Sequence, residues 1–297
     1  MPKIFNILST LLVLLILINA APGLLKSIKE QYKEAIQPKT KVARLKIHDT
    51  ITDVEFYQQN LEKFFKNKSI KAIVLDIDSP GGAAGSSQAL YNEILYLKTE
   101  YKKPVLALTY NLCTSAAYNI AIAADYIVAT PSALIGSIGN YINQFKINEL
   151  LSTCHVHYEI EKEGAFKAAL NPYVPSTPEQ QKMLQQLAHN CYQQFIHDVA
   201  CQRKLSLQNS TDWANGRVFT GIQALKKGLI DEVGSEFNMV KKLKELALIE
   251  KEIEWVKPTY PSIFNQLFGK QDSQPLFALF NQMKTVLWNT IHQTYIG

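Results

Sequence analysis

The hydrophobic and polar positions of this chain fall into two regimes. Residues 4–25 carry no charged side chain, and 8–18 are nearly all aliphatic. About 20 apolar residues suffice to cross a bilayer as a helix, so 4–25 is expected to form a transmembrane anchor. A cleavable signal peptide is the rival reading. Asn19-Ala20-Ala21 offers small residues, but Pro22 follows directly and Ile18 fills the outer small-residue position, so an uncleaved anchor is preferred. Residues 26–41 mix charge with Pro38 and read as a linker.

Beyond it the pattern alternates. Short apolar, β-branched runs at 42–47, 72–77 and 105–109 have the character of buried parallel strands. Apolar residues at helical spacing mark helices over 54–65, 87–97 and 237–249. The Ala-rich stretch 114–124 reads as a helix beginning just after a strand, and 126–129 and 134–138 as short apolar runs around Pro131. A long helix is expected from 178 to 204, with Thr177 as cap, Pro178 at its first position and Glu179 in its first turn. A short helix ending at Gly228 should lead into a strand at 229–233. Asp78-Ser79-Pro80-Gly81-Gly82 is a strong turn signal. Strands alternating with helices argue for an α/β core of parallel strands over 42–255. The tail 256–297 is broken by Pro258, Pro261 and Pro275; apolar residues at helical spacing over 276–295 predict a helix that packs on protein or on a membrane surface.

Composition narrows the function classes only a little. The chain has 297 residues, 47% hydrophobic, enough for one sizeable core. A net charge of +5 from 31 basic and 26 acidic residues is spread thinly, with no basic run dense enough for nucleic acid. Cys113, Cys154, Cys191 and Cys201 show no CxxC spacing, which argues against a zinc or thioredoxin-type site. Cys191 and Cys201 share one expected helix and should not bridge each other; a Cys113–Cys154 disulfide is left open.

Three segments carry candidate chemistry. A serine hydroxyl needs a neighbouring base to take its proton. Lysine can serve only when neutral, and bringing its pKa near 7 requires about 4–5 kcal/mol of differential interaction, most simply by burial. The developing oxyanion needs backbone N–H groups. Ser115 opens the Ala-rich segment after a strand and loop, a place where a plain N-cap is the commoner role. Lys167 is the only charge in Gly164-Ala165-Phe166-Lys167-Ala168-Ala169-Leu170, though an exposed surface lysine is the ordinary reading there. Gly81-Gly82, after a buried strand, permits close backbone approach to a ligand.

Taken together and in order, these segments resemble signal peptide peptidase A and its relatives. The matching stretches are Leu75 to Gly82, Lys103-Pro104-Val105, Thr114-Ser115-Ala116-Ala117-Tyr118-Asn119-Ile120-Ala121 and Ala123-Ala124-Asp125-Tyr126-Ile127-Val128-Ala129. Gly136-Ser137-Ile138-Gly139, Gly164-Ala165-Phe166-Lys167, Asn215 to Gly221 and Gly228 to Gly234 continue the set, which runs from about 42 to about 255. The resemblance implies a crotonase/Clp-type α/β superhelix behind a single-pass anchor. It implies Ser115 as nucleophile, Lys167 as base, and oxyanion-hole N–H groups at Gly82 and Ala116. It implies degradation of remnant signal peptides and other hydrophobic peptides, no cofactor or metal, and a homo-oligomeric ring whose active sites combine serine and lysine from adjacent subunits. It also implies a bacterial inner-membrane location with an extracytoplasmic catalytic domain. Lys26, Lys29 and Lys33 after the span do not favour export on the positive-inside rule.

The chain departs from the family pattern at a few positions. Ala116-Ala117 stand where two glycines are usual, Asn119 where a tyrosine is common, and Cys113-Thr114 where two alanines are common. If either glycine position requires positive φ, alanine would strain the turn, which leaves a catalytically inactive peptide-binding scaffold as the alternative. An acyl-CoA hydratase of the same fold is disfavoured by the anchor and by the lysine. Ser86, Ser87, Ser132 and Ser137 read as caps and turns. His155 and His157 alternate in a strand-like run and read as structural, as do Asp76 and Asp78 at a strand end.

Overall fold

The computed structural model describes residues 38–260 together with positions 20–23, 25, 26 and 29. Most of the expected anchor and the tail from 261 onward lie outside the described residues. Among the described residues no helix is long and apolar enough to cross a membrane. One compact unit ends at Val256, and only the first residues of a second unit are described.

The unit is a mixed α/β fold built on a curled, mostly parallel sheet. Its strands are β1 (Thr40–Ile51), β2 (Ile70–Gly82), β3 (Val105–Thr109), β4 (Leu112–Thr114), β5 (Tyr126–Ala129), β6 (Leu134–Gly136), β7 (Val218–Thr220), β8 (Glu232–Val233) and β9 (Ile253–Val256). The helices are α1 (Glu55–Lys66), α2 (Ala84–Tyr101), α3 (Ala116–Ala121), α4 (Asn148–Thr153), α5 (Pro178–Arg203), α6 (Gly221–Lys226) and α7 (Glu236–Leu246).

The sheet branches at β2. One edge of β2 pairs with β1, which in turn pairs with β9. Along the other edge, Ile73–Asp76 pair with β3, leading to β5 and β8, whereas Ser79 pairs with β4, leading to β6 and β7. Only β6 and β7 run antiparallel. The branching places the end of β2 and the end of β4 side by side.

Alternation along the strands decides which face each residue serves. Ile73, Leu75 and Ile77 of β2 join Val105 and Ala107 of β3 in the larger core, under α1, α2 and α3. Ala72 and Val74, with Leu106 and Leu108, face the other way and meet Met239 and Leu243 of α7. Both faces are covered, which is why these strands read as continuous apolar runs.

The strand expected at 229–233 is reduced to Glu232–Val233, and two expectations near Ser115 also change in the structure. The residues expected to turn, Asp78 to Gly82, continue as extended β2. Pro80 has no N–H to lose from the ladder, and the register with β1 slips between His48 and Thr50, so the strand absorbs the irregularity instead of ending. Strand β4 lies just before Ser115, where only a loop was expected; three residues are too few to leave a periodic signal. The capping box at Thr177 is present: Gln180 N–H donates to the Thr177 side chain, and Thr177 N–H donates to the Gln180 side chain.

Candidate active site

Ser115 sits between the end of β4 and α3, with φ 53° and ψ −126°. Positive φ is rare for a residue with a side chain, and this conformation costs of order 1–3 kcal/mol. The surroundings impose it. Ser115 N–H donates to Gly136 O at 2.7 Å, and Ser115 O accepts from Asn119 N–H at 3.0 Å. Thr114 Oγ1 donates to Pro80 O at 3.0 Å, which ties β4 to the end of β2.

Gly81 is pressed against this turn. A Cβ at Gly81 would lie 2.7 Å from Ser115 Cβ and 2.9 Å from both Ala116 N and Thr114 O. Its φ of +107° excludes most side chains independently. Gly82 runs equally close to β1, where a Cβ would stand 2.0 Å from Ile51 O. The glycine pair therefore allows the β2 backbone to reach the serine.

Two concavities meet here. A cleft of about 550 Å³ includes Thr50, Pro80, Gly82, Ser115, Ser137 and Tyr141 in its lining. A smaller cavity of about 50 Å³ shares Gly82 and Ser115 with it and adds Ala116, Ser87, Asn119 and Phe195. Gly82, Ser115 and Ala116 thus line one space. The N–H of Ala116 is the first of α3 and has no acceptor within the helix.

Ala116 and Ala117 lie inside α3, and neither has positive φ. Both are buried, Ala117 fully. Alanine is compatible with this backbone, so the strain anticipated from the missing glycines does not arise.

Lys167 is not brought to the serine within one chain. It lies on a turn where its N–H donates to Gly164 O at 3.1 Å. The turn is docked by buried Ala168 and Ala169 and by Gln180 Nε2, which donates to Ala165 O at 3.0 Å. The Lys167 side chain itself is exposed and lines neither concavity at Ser115. The burial expected from its uncharged sequence neighbours is not found in this chain.

The other candidates separate from the site or join it in secondary roles. His155 and His157 lie exposed in irregular chain and not in a strand, His155 with φ 56°. Among the described residues no group of His, Cys, Asp and Glu could hold a metal ion. All four cysteines are free thiols; Cys113 is buried in β4 and Cys154 is exposed, so the disulfide left open by the sequence does not form. Burial pushes the Cys113 thiol well up. Ser86 Oγ donates to Thr52 O, and Ser137, at positive φ, lines the wide cleft. Asp76 is held by Arg44 at 3.0 Å, and Arg44 also pairs with Glu236.

Sequence reasoning missed the frame around α3. Tyr118 OH, fully buried, donates to Leu229 O at 2.6 Å. Arg203 pairs bidentately with Asp231 at 2.8 Å, and Asp231 also accepts from Ile127 N–H. These bonds join α5, the Gly228–Val233 region and β5 beneath the serine. Asp231 lay within a matched motif, but its partner Arg203 is far away in sequence and left no periodic trace.

The model of the family described as peptidase family S49 matches residues 98–250, just over half of the chain. This chain belongs to peptidase family S49. A protein of Methanocaldococcus jannaschii, described as a protease, is 32% identical over 227 residues, covering 76% of this chain and 69% of that one. The chloroplastic serine protease SPPA of Arabidopsis thaliana is 32% identical over 200 residues, 66% of this chain and 29% of that one. A protein described as signal peptide peptidase SppA of Enterococcus faecium is 27% identical over 231 residues, 73% of this chain and 67% of that one. The S49 assignment, with relatives of that name, bears out the resemblance to signal peptide peptidase A. The matched region contains both Ser115 and Lys167.

Proposed function

We propose that this S49 peptidase is a serine endopeptidase in which Ser115 acts with Lys167 of a neighbouring copy on hydrophobic peptides at a membrane. The observation that carries the proposal is the backbone of Ser115. A strained positive φ, held from three sides beside a cleft and two glycines, is stored where a nucleophile must be presented. An N-cap serine needs no such strain, and Ser115 makes no side-chain cap bond to α3.

The chemistry follows from the groups available. Neutral Lys167 Nζ takes the proton of Ser115 Oγ as that oxygen bonds to the substrate carbonyl carbon. The carbonyl oxygen becomes an oxyanion facing the N–H groups of Gly82 and Ala116. The C–N bond then breaks, with the leaving amine receiving the proton from Lys167. A water deprotonated by the same lysine adds to the acyl carbon, the bond from that carbon to Ser115 Oγ breaks, Oγ takes the proton back from Lys167, and the peptide acid is released. No step draws on a metal or nucleotide.

Self-association is supported by the surface that carries the lysine. Helix α4 buries none of its own residues. Around it and around Lys167, Tyr141, Phe145, Leu150, Val156, Phe166 and Leu170 are all exposed, Tyr141 and Phe145 at 77%. Exposed apolar side chains in this number, gathered around a helix that buries none of its own residues, mark an interaction surface. Covering it with the next subunit would take Lys167 out of water, as a neutral general base requires. The branched parallel sheet suits the crotonase/Clp-type superhelix and its rings. The anchor at 4–25 would place the enzyme at the inner membrane, with lipid and remnant signal peptides as neighbours. The inactive-scaffold alternative rested on Ala116-Ala117, and their negative φ removes that support.

The test is labelling of the full-length protein with a fluorophosphonate. Modification confined to Ser115 and lost in Ser115→Ala is the expected result. Absence of labelling under conditions where a control serine peptidase labels fully would refute the enzyme reading.

A further inference from the structure

Asn119 lines the small cavity with a buried side-chain amide that has no hydrogen-bond partner among the described residues. It lies in the first turn of α3, four residues after Ser115, and both residues line the cavity. It is 3% exposed, and neither Oδ1 nor Nδ2 has a partner among the described residues. An unmet buried donor or acceptor costs about 1–3 kcal/mol, so a carboxamide with both unmet is a poor choice for filling space. It becomes a good choice if a ligand supplies the partners.

The rest of the lining restricts that ligand. The cavity beside Asn119 is formed by Ala84, Ser87, Gln88, Cys191 and Phe195, and no charged side chain contributes to it. A carboxylate or ammonium would be buried there without a counter-charge. The volume, about 50 Å³, is small and favours a short side chain. An aliphatic side chain of suitable size would leave both amide atoms unmet.

Resting on the peptidase reading, we infer that Asn119 sets the specificity of this cavity. It selects substrates whose side chain beside the scissile bond is short, uncharged and able both to donate and to accept a hydrogen bond: serine, threonine or asparagine. Hydrophobic character of the substrate is then recognised along the wide cleft, while the residue next to the cut is polar. Nδ2–H donates to the substrate's oxygen, and Oδ1 accepts from its hydroxyl or amide hydrogen. Asn119 touches substrate but not the transferred proton, so it is a specificity residue.

The test uses full-length protein and fluorogenic peptides identical except at that residue, compared as shape-matched pairs, threonine against valine and asparagine against leucine. The expected kcat/KM ratio is about tenfold or more in favour of the polar member of each pair. Asn119→Leu, which keeps the volume, should reverse the ratio; a purely structural asparagine would lower both members alike. A wild-type preference for valine and leucine, or a ratio that Asn119→Leu leaves unchanged, overturns the inference. If Asn119→Leu does not fold, the wild-type ratios alone decide. If no peptide is cleaved, the peptidase reading fails separately, and equilibrium binding of the same pairs decides this one. Binding about tenfold tighter for the polar members sustains it, and equal affinity ends it.

Discussion

At the scale of single residues the site depends on two positions whose backbone conformation is decisive, Gly81 and Ser115. Gly81 lies where any Cβ would push on Ser115 and on the N–H of Ala116. Gly81→Ala should therefore lower kcat/KM by about 100-fold or more, since misplacement of reacting groups by an ångström costs about that much. Its effect on overall stability should stay near 1–3 kcal/mol, the range of a strained backbone position. Activity assays and urea melts on the same preparation separate the two. Ser115 is the counterpart: its strain is invisible in sequence, where the residue resembles a common helix cap. The sequence made Ser115, Lys167, Gly82 and Ala116 nameable only as members of an ordered motif set. Asn119 stood out as a departure, but its unmet amide could be seen only once α3 had turned it into a cavity.

At the scale of elements, the period of the pattern located most helices and the buried strands because both faces of the sheet are covered. It failed where the elements are short or locally irregular. Strand β4 has three residues, and the Gly-Gly end of β2 carries turn chemistry inside a strand whose partners are remote in sequence. The frame that supports α3 is also non-local. Arg203 and Asp231 form a largely buried pair that joins α5 to the chain before β8. Arg203→Met should destabilise the protein by about 3 kcal/mol or more, because it leaves a carboxylate partly buried without its partner. Calorimetric melting checks this, and a loss under 1 kcal/mol would be contrary. A second tie is Tyr91 of α2, which accepts from Gln202 Nε2 of α5 at 3.0 Å. Burial pushes its phenol up to about 12 from 10. The unfolded chain then releases this proton first, so folding stability should fall as pH rises from about 10 to 12. Tyr91→Phe should flatten that part of the pH profile, measured by chemical denaturation in a pH series.

At the scale of the whole molecule, one chain holds a nucleophile and cleft but leaves its candidate base in solvent. The apolar face around α4 and Lys167 accounts for that arrangement if copies assemble. Leu150→Asp on α4 removes nothing from the core of its own chain, since α4 buries no residue there. It should leave far-UV dichroism unchanged while dissociating the assembly in sedimentation runs and reducing peptidase activity by at least tenfold. The proposed ring rests on apolar residues around α4 that are exposed in this chain, and the proposed anchor on the sequence alone.

The most direct measurement of the central claim mixes two inactive proteins. Ser115→Ala and Lys167→Ala, each inactive alone, are co-expressed, purified together and assayed for peptide cleavage. The account predicts restored activity, because some junctions then bring an intact Ser115 from one chain to an intact Lys167 from the next. Mixed assemblies, verified by mass spectrometry, that remain as inactive as either parent would contradict a dyad shared between subunits.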